Sequence, residues 1–216
     1  MSSPSPLEFG KYYHIYNRGN NGESIFSEDR NYSYFLQLYI KYIEPTASTY
    51  AYCLLRNHFH FLIRTKTVVE QELEYRAAVA NQTITVHDNK PWKPKQPSDQ
   101  FSHLFNAYAK AINKRYDRSG SLFEHPFGRL PVDEFDYLKR LLCYIHRNPH
   151  KHGLTQDFRT WPYSSYQAFV LQEPTRLQRE AVLSWFVGSR ENFEAYHRQL
   201  MPLPDYYIKF LGALDL

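Results

Sequence analysis

The alternation of apolar and polar residues along the chain predicts strands, and apolar residues spaced three or four apart predict helices. Alternation predicts strands at Tyr12–Arg18, Thr49–Leu55 and His58–Arg64, and a fourth strand within Leu122–Val132. Helical spacing predicts one helix that Ser27 caps and that ends near Ile43, and further helices at Val69–Ala80, Gln100–Tyr116 and Glu134–Asn148. Two more helices are predicted near Leu177–Val187 and Glu191–Leu200.

Prolines and small polar residues mark the predicted ends of these elements. The proline- and lysine-rich stretch Asn89–Asp99 predicts a loop, after which Ser98 or Asp99 is the expected helix cap. Asp133 is the expected cap of the helix that carries Tyr144. Pro149 is expected to stop that helix, because the residue before a proline is disfavoured in helical conformation.

The order of the elements, strand–helix–strand–strand–helix–strand, is typical of an α+β sandwich. We therefore predict a ferredoxin-like, split βαβ fold in which helices cover one face of an antiparallel sheet. Residues 1–8 form a short, disordered polar lead in this interpretation. After about Val170 the pattern changes, which predicts a small C-terminal helical appendage.

The composition is typical of a soluble globular protein with an ordinary fraction of charged residues and a small net charge. Among 216 residues, 43% are hydrophobic and 22% charged, and the net charge of +4 favours polyanionic partners only mildly. Aromatic residues are abundant at 17%; most are expected in the core, but exposed tyrosines can stack unpaired bases. The sequence shows no signal peptide and no apolar run long enough to span a membrane.

The most informative motif is a pair of histidines, His58 and His60, within an apolar run. Successive side chains on a strand point to opposite faces, so the two imidazoles project together, about 6–7 Å apart at the backbone. Phe59 then points the other way, into a core. Two imidazoles on one face can bind one divalent cation.

A second motif lies on the predicted helix Glu134–Asn148. Tyr144 and Asn148 are four residues apart and therefore lie on one helix face. Asn148 can supply an oxygen ligand to a metal held by the histidines, and Tyr144 can supply a nucleophile. A tyrosine that attacks a phosphodiester forms a covalent link that conserves the bond energy for rejoining. Imidazoles, an amide oxygen and waters together admit Mg²⁺ or Mn²⁺.

The residues around these motifs resemble those of the HUH single-tyrosine transposases, and among them the REP-associated tyrosine transposases. The histidine–bulky apolar–histidine signature of the group is matched by His58-Phe59-His60. The other matching blocks are residues 12–19 (YYHIYNRG), 101–116 (FSHLFNAYAKAINKRY), 144–154 (YIHRNPHKHGL) and 157–166 (DFRTWPYSSY). The order and spacing of the blocks are more specific than any block alone.

This resemblance implies a catalytic domain over residues 9–172, with residues 173–216 as a helical C-terminal extension. It implies cleavage of single-stranded DNA near a hairpin, with the tyrosine joined to the 5′ phosphate and a 3′ hydroxyl released before rejoining. Such a reaction serves DNA transposition or the processing of REP elements. Carried over by position, His58, His60 and Asn148 are the ligands of Mg²⁺ or Mn²⁺, and Tyr144 is the nucleophile.

Basic and polar residues near these blocks are the predicted DNA contacts, and those with positive charge are expected to hold phosphates. They are Arg18, Asn20, Arg56, Arg64, Lys110, Lys114, Arg115, Arg129, Lys151 and His152. Arg56 departs from the family pattern, in which proline is common at this position. The stretch 126–129 lacks a lysine that the family pattern leads us to expect. Histidines outside the motif, such as His14, His87, His103 and His125, are expected to be structural or surface groups.

Two other functions are consistent with these residues. The chain can be a domesticated module that recognises a DNA or RNA hairpin without cleaving it. It can also be a metal-dependent hydrolase in which Tyr144 is structural. The sequence leaves a monomer and a homodimer equally open. Two cysteines in apolar contexts, Cys53 and Cys143, predict reduced thiols, and we expect a cytoplasmic, nucleoid-associated bacterial protein without a membrane partner.

Overall fold

The computed structural model describes residues 6–83 and 91–199. Its centre is a four-stranded sheet in the order β2-β3-β1-β4, in which every neighbouring pair is antiparallel. The strands are β1 (Tyr12–Arg18), β2 (Ala47–Leu54), β3 (His58–Thr65) and β4 (Gly128–Pro131). This strand order is that of a split βαβ fold, so the predicted α+β, ferredoxin-like class is confirmed.

Seven α-helices accompany the sheet in the described part of the chain. They are α1 (Asp29–Tyr42), α2 (Val68–Ala80), α3 (Pro97–Arg115), α4 (Phe135–Lys151), α5 (Tyr166–Val170), α6 (Arg179–Ser184) and α7 (Arg190–Arg198). None of the described helices is both long and apolar enough to span a membrane. Both cysteines are free and buried.

One face of the sheet is covered by α1 and α3. Phe59 and Phe61 of β3 and Ile15 of β1 point to this side and are fully buried against Phe35 of α1 and Leu104 of α3. The alternation along β3 dictates this arrangement, because Phe59, Phe61 and Ile63 share one face of the pleat. The histidines therefore project from the opposite face.

The opposite face is covered by α4, which corrects the prediction that helices lie on one face only. Leu141, Leu142 and Ile145 of α4 form a buried cluster with Ala51 and Leu62 of the sheet. The physical reason is visible in β3, where seven of eight residues are buried, so both faces of the strand need cover. The helices α5, α6 and α7 join the same buried cluster through Phe169, Val182 and Phe193.

Several predicted element ends differ from the structure. Glu28, not Ser27, is the cap of α1, because Glu28 and Asn31 form a reciprocal capping box. The caps of α3 and α4 are Gln96 and Glu134, each one to three residues from the predicted Ser98, Asp99 and Asp133. Only Gly128–Pro131 of the predicted Leu122–Val132 strand is β4.

Pro149 lies inside α4 and does not stop it. A proline removes one backbone donor, and in this last turn the helix continues through Lys151 to a cap at His152. The backbone N–H of His152 donates to the carbonyl of Asn148 at 3.0 Å. The first residues of the polar lead, residues 89 and 90 of the predicted loop and the tail from residue 200 lie outside the described residues.

Candidate active site

The pairing of β1 with β3 builds the floor of the candidate site. Tyr16 lies opposite His60, and Arg18 lies opposite His58, so these side chains share the α4 face of the sheet. The rings of His58 and His60 have centroids 5.3 Å apart. The prediction that the two imidazoles project together, away from Phe59, agrees with this geometry.

Helix α4 brings its two predicted residues onto this floor. The Oδ1 atom of Asn148 lies 3.3 Å from Nε2 of His58. The ring centroid of Tyr144 lies 5.6 Å from that of His60. Asn148 and both histidines are buried, whereas Tyr144 is partly exposed and can meet a substrate. Each histidine therefore lies close to a side chain of α4 that is at least 84 positions away along the chain.

Both ring nitrogens of His58 face amide oxygens. The Nδ1 atom lies 2.8 Å from Oδ1 of Asn57, and the Nε2 atom lies 3.3 Å from Oδ1 of Asn148. A carbonyl oxygen only accepts and a neutral imidazole carries one N–H, so the neutral ring can donate to only one of these two oxygens. In the tautomer that donates from Nδ1 over the shorter distance, the Nε2 lone pair and the Asn148 oxygen both face the site.

His60 lies in an environment that favours the neutral imidazole. Burial lowers its pKa well below the usual value, and the neighbouring His14, His58, His152 and Lys151 lower the pKa further. Its Nε2 atom is buried and has no hydrogen-bond partner among the described residues. A neutral imidazole with a free lone pair is the form that binds a metal ion.

These donors fit a divalent cation of the Mg²⁺ or Mn²⁺ type. The described residues contain no group of three or more His, Cys, Asp or Glu side chains arranged to hold a metal. The side chains that could hold a cation here are the two imidazoles of His58 and His60 and the amide oxygen of Asn148. Mixed nitrogen and oxygen donors of this kind suit Mn²⁺, and oxygen donors suit Mg²⁺.

Some of the predicted DNA contacts surround this site. The ammonium group of Lys151 lies 5.3 Å from the centroid of the Tyr144 ring. The ring centroid of His152 lies 4.8 Å from that of His58. Arg56 lies in the turn before β3, where its Nε donates to Ser24 at 3.0 Å. Asn20 follows β1 in a short 3-10 helix, at the same end of the sheet.

Other predicted DNA contacts lie elsewhere. Arg64 stands at the far end of β3, about 20 Å from His58 along the strand, where it pairs with Glu70 at 2.9 Å. Arg129 pairs with Ile15 across the strands and stacks on Phe127, on the other face of the sheet. Three more contacts are exposed on α3, which covers that other face: Lys110, Lys114 and Arg115.

Two residues of the site were not singled out by the sequence. The Nε2 atom of His14 lies 3.0 Å from Nδ1 of His60, and the ring of Tyr16 lies 5.0 Å from that of His14 between centroids. Alternation within β1 places both on one face, but only the pairing of β1 with β3 shows that this is the face of His60. The sequence does not give the register between β1 and β3, so it could not assign His14 and Tyr16 to the site.

Comparison with known proteins bears on the fold. No family model matches the sequence, and no curated protein matches it. A solved structure of a REP-associated tyrosine transposase bound to a REP hairpin superposes with a TM-score of 0.55, over 81% of this chain and 88% of that chain. This chain has the fold of a REP-associated tyrosine transposase. The two sequences are 15% identical, so the likeness is one of fold.

Proposed function

We propose that this chain is a metal-dependent enzyme that cleaves and rejoins single-stranded DNA near hairpins through a 5′-phosphotyrosine intermediate. The observation that supports it most directly is the convergence of Tyr144 and Asn148 on His58 and His60. The fold shared with a transposase bound to a REP hairpin supports a hairpin DNA as partner. Transposition or the processing of repeated palindromic DNA is the corresponding role.

In the proposed reaction Tyr144 is the nucleophile. Its phenol oxygen bonds to the phosphorus and gives up its proton, the bond from phosphorus to the 3′ oxygen breaks, and that oxygen takes up a proton. The 5′ phosphate stays on the tyrosine until a second 3′ hydroxyl attacks the phosphorus and loses its proton; the bond from phosphorus to the tyrosine oxygen then breaks, and that oxygen takes up a proton. Because each step exchanges one phosphodiester for another, rejoining needs no outside energy source.

His58, His60 and Asn148 are the proposed ligands of Mg²⁺ or Mn²⁺. When bound, such a cation polarises a non-bridging phosphate oxygen and offsets the charge that develops there. Lys151 lies beside the Tyr144 ring, and we propose that it contacts the same phosphate. Arg18, Asn20, Arg56 and His152 are the proposed contacts of the flanking strand.

The proposed site is assembled within one chain. Tyr144 on α4 reaches His60 of the same chain at a centroid distance of 5.6 Å. We therefore propose that Tyr144 acts at the histidine pair of its own chain. The DNA contacts of the more distant residues remain predictions, and we propose that these residues contact DNA that extends beyond the cleavage point: Arg64, Lys110, Lys114, Arg115 and Arg129.

A denaturing gel tests the proposal. Labelled single-stranded hairpins, made from imperfect palindromes that flank the gene, are incubated with the protein and Mn²⁺ or Mg²⁺. We expect a covalent protein–DNA adduct with the wild type and none with Tyr144→Phe. Tyr34→Phe is the matched control, because Tyr34 is a partly exposed tyrosine of α1 on the opposite layer.

The same gel separates the two rival functions. Hairpin binding without any adduct or cleavage would identify a binding module. Cleavage that survives Tyr144→Phe would identify a hydrolase in which Tyr144 is structural. Either result overturns the proposed phosphotyrosine chemistry, since that chemistry requires the phenol oxygen.

A further inference from the structure

We propose that His14 is a positioning residue that holds the ring of His60 in the tautomer required for binding a divalent cation. The inference rests on the proposed function, because it takes His60 to be a ligand. It assigns a task to a histidine outside the histidine pair and the tyrosine helix. His14 acts through His60 and does not itself contact the cation.

The contact between the two rings is buried and well defined. Both His14 and His60 have 0% exposed surface. The Nε2 atom of His14 lies 3.0 Å from Nδ1 of His60, and the rings stack with centroids 5.1 Å apart. A hydrogen bond between two neutral imidazole nitrogens has one proton, which belongs to one ring or the other.

The position of that proton decides what His60 presents to the site. If Nδ1 of His60 donates to His14, then Nε2 of His60 is a lone pair directed into the site. If His14 donates instead, Nε2 of His60 carries a hydrogen that has no acceptor among the described residues. Such an N–H would exclude a cation, so a cation can bind at Nε2 of His60 only when Nδ1 donates to His14.

The other histidine of the pair shows the same arrangement. Nδ1 of His58 lies 2.8 Å from the side-chain oxygen of Asn57, and in the tautomer that donates over this distance Nε2 of His58 is the lone pair. Asn57, in the turn before β3, and His14 of β1 therefore have the same relation to the two proposed ligands. In metal proteins, a ligating histidine is commonly oriented by a hydrogen bond to its second nitrogen, and loss of that partner weakens metal binding about 10- to 100-fold.

Mn²⁺ affinity, measured by the electron paramagnetic resonance of free Mn²⁺ without DNA, tests the inference. We expect His14→Leu to weaken Mn²⁺ binding at least tenfold, because leucine fills the space without accepting a hydrogen bond. We expect His14→Gln to retain affinity within a few-fold, because its amide oxygen can accept from His60. Thermal unfolding and near-ultraviolet circular dichroism confirm that each variant is folded.

A second measurement needs no metal and no variant. The ¹⁵N chemical shifts of the imidazoles distinguish protonated from bare ring nitrogens. We expect a protonated Nδ1 and a bare Nε2 at His60 in the wild type. A protonated Nε2 at His60 would overturn the inference whatever the behaviour of the His14 variants.

The outcomes separate this inference from the proposed function. If the wild type forms the DNA adduct while His14→Leu binds Mn²⁺ as tightly as the wild type, the inference fails and the function stands. If the wild type binds Mn²⁺ but forms no adduct, and His14→Leu loses the ion, the function fails and the inference stands. If the wild type binds no Mn²⁺, both fail.

Discussion

His146 of α4 and His197 of α7 are joined by a buried hydrogen bond of 2.9 Å between Nδ1 and Nε2. Burial lowers the pKa of both rings, which favours their neutral forms. In neutral His197 the Nδ1–H donates to the carbonyl of Phe193 at 2.8 Å, so Nε2 accepts from Nδ1–H of His146. Nε2 of His146 then accepts from the hydroxyl of Ser165 at 2.7 Å, and this chain of bonds ties α7 to the back of the tyrosine helix.

This pair predicts that acid destabilises the fold. Burial lowers the pKa of His197 to about 4 and that of His146 well below its usual value. The unfolded chain takes up protons below about pH 6.5, whereas the folded chain does not until the pH reaches the lower value. The stability is therefore full above pH 6.5 and falls as the pH decreases toward 4.

Urea unfolding at pH 7.5 and pH 5 measures the effect. We expect His197 alone to contribute roughly 2 kcal/mol to the difference between the two free energies of unfolding. His197→Gln should reduce the difference by about that amount, while His103→Gln, at an exposed position of α3, should leave it unchanged. A wild-type free energy that is equal at both pH values contradicts the prediction.

We predict that position 128 must be glycine, because the ring of Tyr16 lies too close for a larger residue. A β-carbon at position 128 would lie 2.1 Å from atoms of that ring, far closer than van der Waals contact. Gly128→Ala should therefore destabilise the protein by about 1–3 kcal/mol, the usual range for overpacking. In a Tyr16→Ala background the same substitution should cost little, and chemical denaturation of the four proteins gives the coupling energy. Additive effects would show that the ring has moved freely out of the way.

Asn148 is predicted to matter through its amide oxygen. Asn148→Leu should weaken Mn²⁺ binding about tenfold or more, because it removes the oxygen 3.3 Å from His58. Asn148→Asp keeps an oxygen at this place and adds negative charge, so it should bind Mn²⁺ at least as tightly as the wild type. Isothermal titration calorimetry with Mn²⁺ alone provides the comparison. Equal affinities for the leucine variant and the wild type would remove Asn148 from the ligand set.

Lys151 is predicted to contact a phosphate beside Tyr144. Lys151→Ala should lower the salt dependence of hairpin binding by about one counterion and slow the formation of the adduct. Lys41→Ala is the matched control, because Lys41 is an exposed lysine of α1 on the opposite layer. Fluorescence anisotropy over a series of salt concentrations gives the slopes. The same loss of slope in both variants would indicate nonspecific attraction in place of a contact.

The sequence predicts the strands better than it predicts their partners. The alternation in Tyr12–Arg18 is regular and unbroken, and β1 has the predicted bounds. The histidine pair was recognisable because both residues lie on one strand. His14 was not, because its role depends on hydrogen bonds between strands that are distant along the chain.

The helices show the same limit. The apolar stripe of α4 predicts a buried face but does not say which side of the sheet receives it. In the structure both faces of β3 are buried. The helices α1 and α3 cover one face, and α4 covers the other. Pro149 was misleading for a local reason, since a proline near the last turn removes a single donor and leaves the preceding turns intact.

The placement of Tyr144 and Asn148 on one helix limits how the proposed enzyme can exchange DNA ends. Any displacement of α4 large enough to carry an attached strand away would also withdraw the amide oxygen from His58, and it would strain the histidine bond to α7 on the other side. Exchange is therefore expected to proceed by movement of the DNA past a stationary protein. We therefore expect slow turnover that is limited by the movement of the DNA, with little change in protein conformation.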